Sequence, residues 1–353
     1  MVQWHGRQKG IGLVEIMVAL VIGSLLVAGV VQIFVSNRQA YDLQGELAKL
    51  QENGRFAFQF LTEDLRMAGY MGCSRNLEVG NNLNNPDQYA YELDGEPLIG
   101  FYVDSSGNLS GATIPTGLDL GTLTPNTDVV MIRRAGDGAV DLRPPYRDQA
   151  KPANTLVLQG HDLQIGDIVV ISDCTDATIV QLTGSSNDGN NSAIVHAATN
   201  NSKLVPGNST KDLGHNYGEG ATVSRMLNVI YYIDDGVDGS PALFRKVGTS
   251  ASEELMGGVE EFRLTYGLDT NQDGTLDTKY MTAKEIDDDL SSAVDWSNVI
   301  AVRMDVLMRG DSAAVVDTGS GQNLVFAGSV VNYKDGFLRQ GMSSTVTVRN
   351  RVP

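Results

Sequence analysis

Cysteine is scarce in this chain, with two among 353 residues, so neither a cysteine-rich zinc cluster nor a dense disulfide scaffold can be built. Positive charge is scarce too. The 26 Lys and Arg face 43 Asp and Glu, a net charge of −17, which excludes nucleic-acid binding through a general basic surface. Histidine occurs four times, at His5, His161, His196 and His215, with no HExxH pattern and no close metal pair. A Walker A loop, a G-x-S-x-G elbow and a thiol with a nearby histidine are all missing, so an enzyme is not expected. The run Asp287-Asp288-Asp289 reads as a solvated acidic stretch. Proline is absent from the first 85 residues and appears ten times thereafter. What is plentiful is ordinary apolar content, 42%, enough for a globular body.

Charge divides the chain in two. Residues 1–70 carry six basic and six acidic side chains, so the whole surplus of −17 lies in the remainder. Within the neutral part, residues 11–35 form an apolar run of 25 residues with one charge, Glu15. As a helix it would span roughly 37 Å, more than a bilayer core of about 30 Å. Arg7 and Lys9 precede it, which places the N-terminus in the cytoplasm and everything past residue 35 outside the inner membrane. An ordinary secretory signal has a shorter apolar region and a small-x-small cleavage site, and no such site follows Gly29. A plain anchor would explain the length but not the carboxylate, which costs free energy in lipid and usually has a purpose there.

Lys9-Gly10 followed by Ile11-Gly12-Leu13-Val14-Glu15 resembles the class III signal of type IV prepilins and pseudopilins. The resemblance implies cleavage by prepilin peptidase between Gly10 and Ile11, and methylation of the new N-terminus at Ile11. It also implies a register role for Glu15, which would pair with the N-terminal amine of a neighbouring subunit. Physics agrees, because an unpaired carboxylate in an apolar setting is costly and a partner charge removes the penalty. The family most often begins with Phe where this chain has Ile11.

Residues 36–68 hold no proline, and Leu43, Leu47, Leu50, Gly54, Phe58, Leu61, Leu65 and Ala68 recur at spacings of three and four. That places them on one face of a continuing helix, with Gly69 and Gly72 as stops. A helix over 11–68 would be roughly 87 Å long. The segments 50–57 and 64–73, with Gly257-Gly258-Val259-Glu260, residues 266–269 and the terminal stretch 345–351, are similar to the minor pilin family PilW. Its counterpart in type II secretion is the J-type minor pseudopilin.

The rest reads as β-rich, with candidate strands at 98–103, 128–133, 155–159, 167–172, 178–182, 228–233, 242–247, 259–266, 299–308, 323–332 and 344–349. A short helix is expected near 283–290, and 79–88 and 184–218 read as polar loops. The expected fold class is α+β. The pilin resemblance implies a long N-terminal helix laid on an antiparallel β-sheet, and the length allows an additional β-rich subdomain at about 95–225. The implied division is a leader at 1–10, a transmembrane part at 11–35, an amphipathic part at 36–70 and a globular head at 71–353.

Cys73 and Cys174 both fall in the part expected outside the inner membrane, where a disulfide between them would persist; two buried free thiols are the alternative. Asp269, Asn271, Asp273, Thr275 and Asp277, with Gly274 at the sixth position, match the start of an EF-hand-type loop. Tyr280 stands where the motif has its bidentate Glu, so a weak calcium loop and a metal-free Asx-rich turn both remain open.

The resemblance implies a single-pass inner-membrane protein that later joins the pilus fibre or its tip. Its implied partners are other minor pilins, the major pilin, prepilin peptidase, the inner-membrane assembly platform, a tip adhesin and membrane lipid. The implied role is priming of pilus assembly for twitching motility, adhesion or DNA uptake. The rival readings are a J-type pseudopilin of type II secretion and a membrane-anchored periplasmic enzyme or adhesin.

Overall fold

A computed structural model gives the architecture. It describes residues 12–351 except 73–76, 85–95, 112–113, 116–117, 148–152, 159, 189–190, 200–203, 278, 290, 292–293, 314–315 and 317. The first element is a single 55-residue helix, α1 (Leu13–Met67). It starts behind Gly12, whose carbonyl accepts the Glu15 and Ile16 amides at 2.9 and 3.3 Å. At the other end Ala68 leaves helical conformation and Gly69 takes φ +76°, a left-handed stop that favours glycine. The Gly69 amide then donates to the Arg133 carbonyl at 2.9 Å, tying the helix end to the body.

The two halves of α1 meet different surroundings. Along 13–35 the large apolar side chains are solvent-exposed, as Leu13 at 75% and Phe34 at 67% illustrate. From Leu50 onward the helix buries Leu50, Gly54, Ala57, Leu61, Asp64 and Leu65. The expected stripe runs on into the buried face there, but Leu43 and Leu47 stay 39% and 37% exposed because the head begins only at the next turn. Each fully buried Leu contributes about 1.5–3 kcal/mol, so Leu50, Leu61 and Leu65 dock the helix firmly.

The strands are β1 (Glu78–Asn81), β2 (Leu98–Val103), β3 (Leu109–Gly111), β4 (Asp128–Ala135), β5 (Val140–Arg147), β6 (Asn154–Val157), β7 (Ile168–Ser172), β8 (Asp176–Gln181), β9 (Gly184–Asp188) and β10 (Asn191–Val195). They continue with β11 (Thr222–Asp235), β12 (Pro241–Val247), β13 (Glu253–Gly257), β14 (Val259–Leu268) and β15 (Tyr280–Met281). After the short helix α2 (Ala283–Asp288) come β16 (Val299–Arg309), β17 (Gln322–Phe326), β18 (Ser329–Tyr333) and β19 (Arg339–Thr347). A capping box between Thr282 and Glu285 opens α2.

An antiparallel sheet in the order β15-β14-β16-β19 supplies Phe262, Leu264, Met304, Val306 and Met308 to the cluster that also holds Leu50, Ala57, Leu61 and Leu65. The long helix on an antiparallel sheet is thus present, and the fold class is α+β. Tyr266 of β14 packs edge-on against Trp296 at 4.8 Å, and Gly100 of β2 leaves room for its hydroxyl. A Cβ at Gly100 would lie 2.1 Å from Tyr266 Oη.

β11 joins the body to a second lobe. Residues 226–235 pair with β4 and β12, whereas 222–225 pair with β7 and β5. On the far side β1, β5, β6, β7, β8, β9 and β10 enclose their own apolar cluster around Val157, Val169, Ile171, Val180, Ile194 and Tyr217. The expected 95–225 segment is therefore divided in space: β2, β3 and β4 lie in the body sheet, and within that segment the lobe strands start at β5. β4 and β7 are buried on both faces, since Val130 and Ile132 face one cluster and Val129 and Met131 another. This is why they read as continuous apolar runs.

Some expectations are corrected. The run 323–332 is a hairpin, β17–β18, turned at Ala327 (φ 45°) and Gly328 (φ 79°). The polar segment 184–218 begins with the β9–β10 hairpin, and 79–88 begins within β1, which pairs in parallel with β8.

Candidate functional site

The membrane-length portion of α1 carries the candidate site. An 18-residue window of it has mean hydropathy 2.6 and no buried share, so it is long and apolar enough to cross a membrane. Glu15 lies in its first turn, where the helix dipole favours a negative charge. Ile16, Ala19, Leu20, Gly23, Ser24, Val27 and Ala28 run from Glu15 along one face. The small members let another helix approach closely, as packing in lipid requires. Ser24 satisfies its own hydroxyl on the Val21 carbonyl at 2.8 Å, so it adds no unmet polar group. Gly10 and Ile11 lie outside the described residues.

The lower half is latched to the head by polar contacts that hydrophobic spacing did not reveal. Asp64 Oδ1 accepts Arg134 Nε at 2.8 Å, and Asp64 Oδ2 accepts the Tyr231 hydroxyl at 2.6 Å, all in the buried interface. Burial and the neighbouring Asp64 charge push the Tyr231 phenol far up. Near the top of the head, Glu46 accepts the Asp311 amide at 3.0 Å, and Asn53 donates to the Gly257 carbonyl at 3.3 Å. At the bottom Asn350 donates to the Ala68 carbonyl at 3.1 Å. The sequence signal for Asp64 was its spacing three residues past Leu61, an acid on the apolar face.

Cys174 is disulfide-bonded, and the chain's one other cysteine, Cys73, lies outside the described residues. In the 269–277 loop, Asp269 accepts the amides of Asp273 at 3.1 Å and Gly274 at 2.8 Å. Asn271 Oδ1 accepts the Asp273 amide at 3.1 Å and Asp273 Oδ1 the Thr275 amide at 2.8 Å. Asp277 turns back to accept the Thr270 amide at 2.9 Å. The loop's side-chain oxygens are thus engaged by its own backbone, with Gln272 and Gly274 at positive φ completing the turn. Hydrogen bonds to the loop hold the Asp273 carboxyl below the usual range.

The histidines serve packing in two cases. His196 is fully buried with Nε2 3.0 Å from Thr155 Oγ1, and His161 Nε2 is 2.9 Å from Ser192 Oγ. The third, His215, sits between two aspartates and is taken up below.

An exposed apolar helix with one acid in its first turn, docked by its second half onto an α+β head, is the form of a type IV pilin. Residues 5–31 match the prokaryotic N-terminal methylation motif, the processing signal of that class. Residues 230–350, from the second half of β11 through β19, match PilW, the type IV pilus-assembly protein W family. The PilW match is thus confined to the C-terminal third of the chain and the methylation motif to its N-terminus, while the β5–β10 lobe lies outside both matched segments. No curated protein and no solved structure matches the chain. The two matches support a pilin-type role in pilus assembly, with the apolar part of α1 as the membrane anchor.

Proposed function

We propose that the chain is a minor pilin that is cleaved after Gly10, methylated on Ile11 and incorporated into a complex that primes the type IV pilus and stands at its tip. The supporting observation is the continuity of α1. A helix with no tertiary cover along 13–35 runs without a break into one that is bonded to the head at Asp64, so the apolar half is held out for other helices to cover. In the fibre Glu15 would pair with a neighbour's N-terminal amine and set axial register, because that partner removes the penalty of a carboxylate in an apolar bundle. Other minor pilins and the major pilin are the proposed partners, with prepilin peptidase and the inner-membrane platform acting before them. A bridge between Cys174 and Cys73 would tie the helix exit to the distal lobe.

The chemistry of the chain is assembly without turnover. Mass spectrometry of the mature N-terminus tests processing: a start at methylated Ile11 is expected, and an intact Met1 overturns the reading. Glu15→Ala is expected to leave cleavage intact and abolish incorporation; normal piliation in that mutant counts against the register role. Co-purification with pilins is expected, and recovery with secretion components alone favours the J-type pseudopilin instead.

A further inference from the structure

Asp173 stands on the turn between β7 and β8, Asp176 opens β8, and His215 reaches them from the segment that follows β10. His215 Nε2 is 2.9 Å from Asp173 Oδ2, and His215 Nδ1 is 3.2 Å from Asp176 Oδ2. A neutral imidazole has a single N–H. It can donate to one of these carboxylates, and at the other a ring lone pair meets carboxylate lone pairs. The arrangement is electrostatically incomplete without a cation at the second nitrogen. One ligand atom from each of the three side chains lies within 4.8 Å of the other two. We propose that Asp173, Asp176 and His215 bind a first-row divalent transition metal, with zinc as the representative ion.

The three side chains are held before any ion arrives. Asp173 Oδ1 is occupied by the Thr175 amide at 2.8 Å, the Thr175 hydroxyl at 2.8 Å and the Asp176 amide at 3.0 Å, which leaves Oδ2 for the site. Cys174, between the two aspartates, is fixed by its disulfide. The His215 ring is set edge-on against Tyr217 at 4.9 Å. Tyr217 is itself anchored on Thr178 of β8, its oxygen 2.7 Å from Thr178 Oγ1. All three side chains are half-buried, and His215 also borders a cavity of about 490 Å³ with Tyr146, Arg147 and Asn216, through which water can complete the coordination.

The donor set selects the class of ion. The two aspartates face opposite ring nitrogens, so the ion would take one carboxylate and one imidazole nitrogen as direct ligands, a mixed set that suits zinc and its neighbours, whereas calcium and magnesium take oxygen ligands throughout. A metal on one ring nitrogen leaves the other N–H donating to a carboxylate, the outer-shell bond that commonly orients a metal-bound histidine. The ion would staple the strand-free segment around Leu213–Tyr217 to the β7–β8 turn, within the lobe that neither matched segment reaches. A proton is the competing cation, since an imidazolium could donate to both aspartates.

The test uses the full chain purified in detergent and stripped with EDTA. Zinc titration is expected to show one ion per chain and a saturable rise in melting temperature of about 2–4 °C. Calcium at the same concentration is expected to give no rise through this site. His215→Ala is expected to abolish the zinc response, and Asp176→Asn to weaken zinc affinity at least tenfold; the unliganded melting temperature of each variant shows that it is folded. Absence of zinc binding, or a zinc response that survives both substitutions, overturns the proposal. A His215-dependent stabilisation on acidification with no zinc response also overturns it, in favour of the proton.

Discussion

Asp64 on the long helix and Arg134 on β4 meet in a buried ion pair, with Arg134 Nε and Nη2 each 2.8 Å from Asp64 Oδ1. Seventy residues separate them in sequence. Their side chains are 5% and 8% exposed, so neither charge has water to fall back on. Tyr231 closes the pair from β11 by donating to the second oxygen at 2.6 Å.

Removing one partner should therefore cost more than the pair contributes. Asp64→Ala is expected to lose about 3–5 kcal/mol in denaturant unfolding, because Arg134 is left buried with only the exposed Asp137 carboxylate, 4.0 Å from its Nη1. Tyr231→Phe should cost about 1.5–3 kcal/mol, because its hydroxyl donates to a buried carboxylate. Replacing both charges, Asp64→Leu with Arg134→Met, is expected to recover most of the loss. A double variant as unstable as Asp64→Ala alone would show that the damage lies elsewhere.

Gly100 is constrained by space. An added Cβ would meet Tyr266 Oη at 2.1 Å, Tyr266 Cζ at 2.6 Å and Trp296 Cη2 at 2.8 Å, all on rigid buried rings. Gly100→Ala should destabilise by about 1–3 kcal/mol. Tyr266→Phe in that background removes only the nearest atom, so partial rescue in thermal unfolding is the expected outcome.

Two buried groups give the head opposite responses to acid. Burial, with the charge of Arg147 second, holds the His196 imidazole down to about 4. The unfolded chain then binds a proton that the folded chain refuses, so stability is lost as pH falls from about 6.5 to 4. His196→Gln should flatten that limb by about 2–3 kcal/mol, read from urea midpoints across pH 4–7.

Asp128 behaves the other way. Burial pushes its carboxyl up to about 6, against the lowering effect of the Leu264 amide and Arg263. The folded state takes up a proton first, so its contribution improves as pH falls through 6 and is a penalty above it. Asp128→Asn keeps an oxygen for the Leu264 amide, which Asp128 accepts at 2.6 Å, and should stabilise the protein at pH 7 by about 1–3 kcal/mol.

The 269–277 loop closes on itself, with its oxygens bonded to its own amides. Millimolar calcium is accordingly expected to leave the melting temperature unchanged through this loop. An upward shift that disappears in Asp273→Ala would restore the calcium-loop reading.

The long helix was readable in the sequence because one charge in 25 apolar residues and a three-four spacing admit few other outcomes. The prepilin signal was readable because Gly10 and Glu15 stand at fixed distances from that run. Asp64 was not, since its value depends on Arg134 and Tyr231, which only the sheet brings near. The β9–β10 hairpin was hidden for a different reason: Gly184-Ser-Ser-Asn-Asp188 and Asn191-Ser192 offer no hydrophobic alternation. β5 was hidden by Pro144 and Pro145, which mark most sequences as loop. Asp173 and Asp176 carry no spacing signal of their own, because their convergence on His215 rests on a segment some forty residues downstream.

β11 belongs to both lobes, and its 14 residues carry no break between the part paired with β7 and the part paired with β4. The same strand presents Tyr231 to Asp64 on the helix. A load applied to the distal lobe would therefore pass along one continuous backbone to Tyr231 and through it to the long helix.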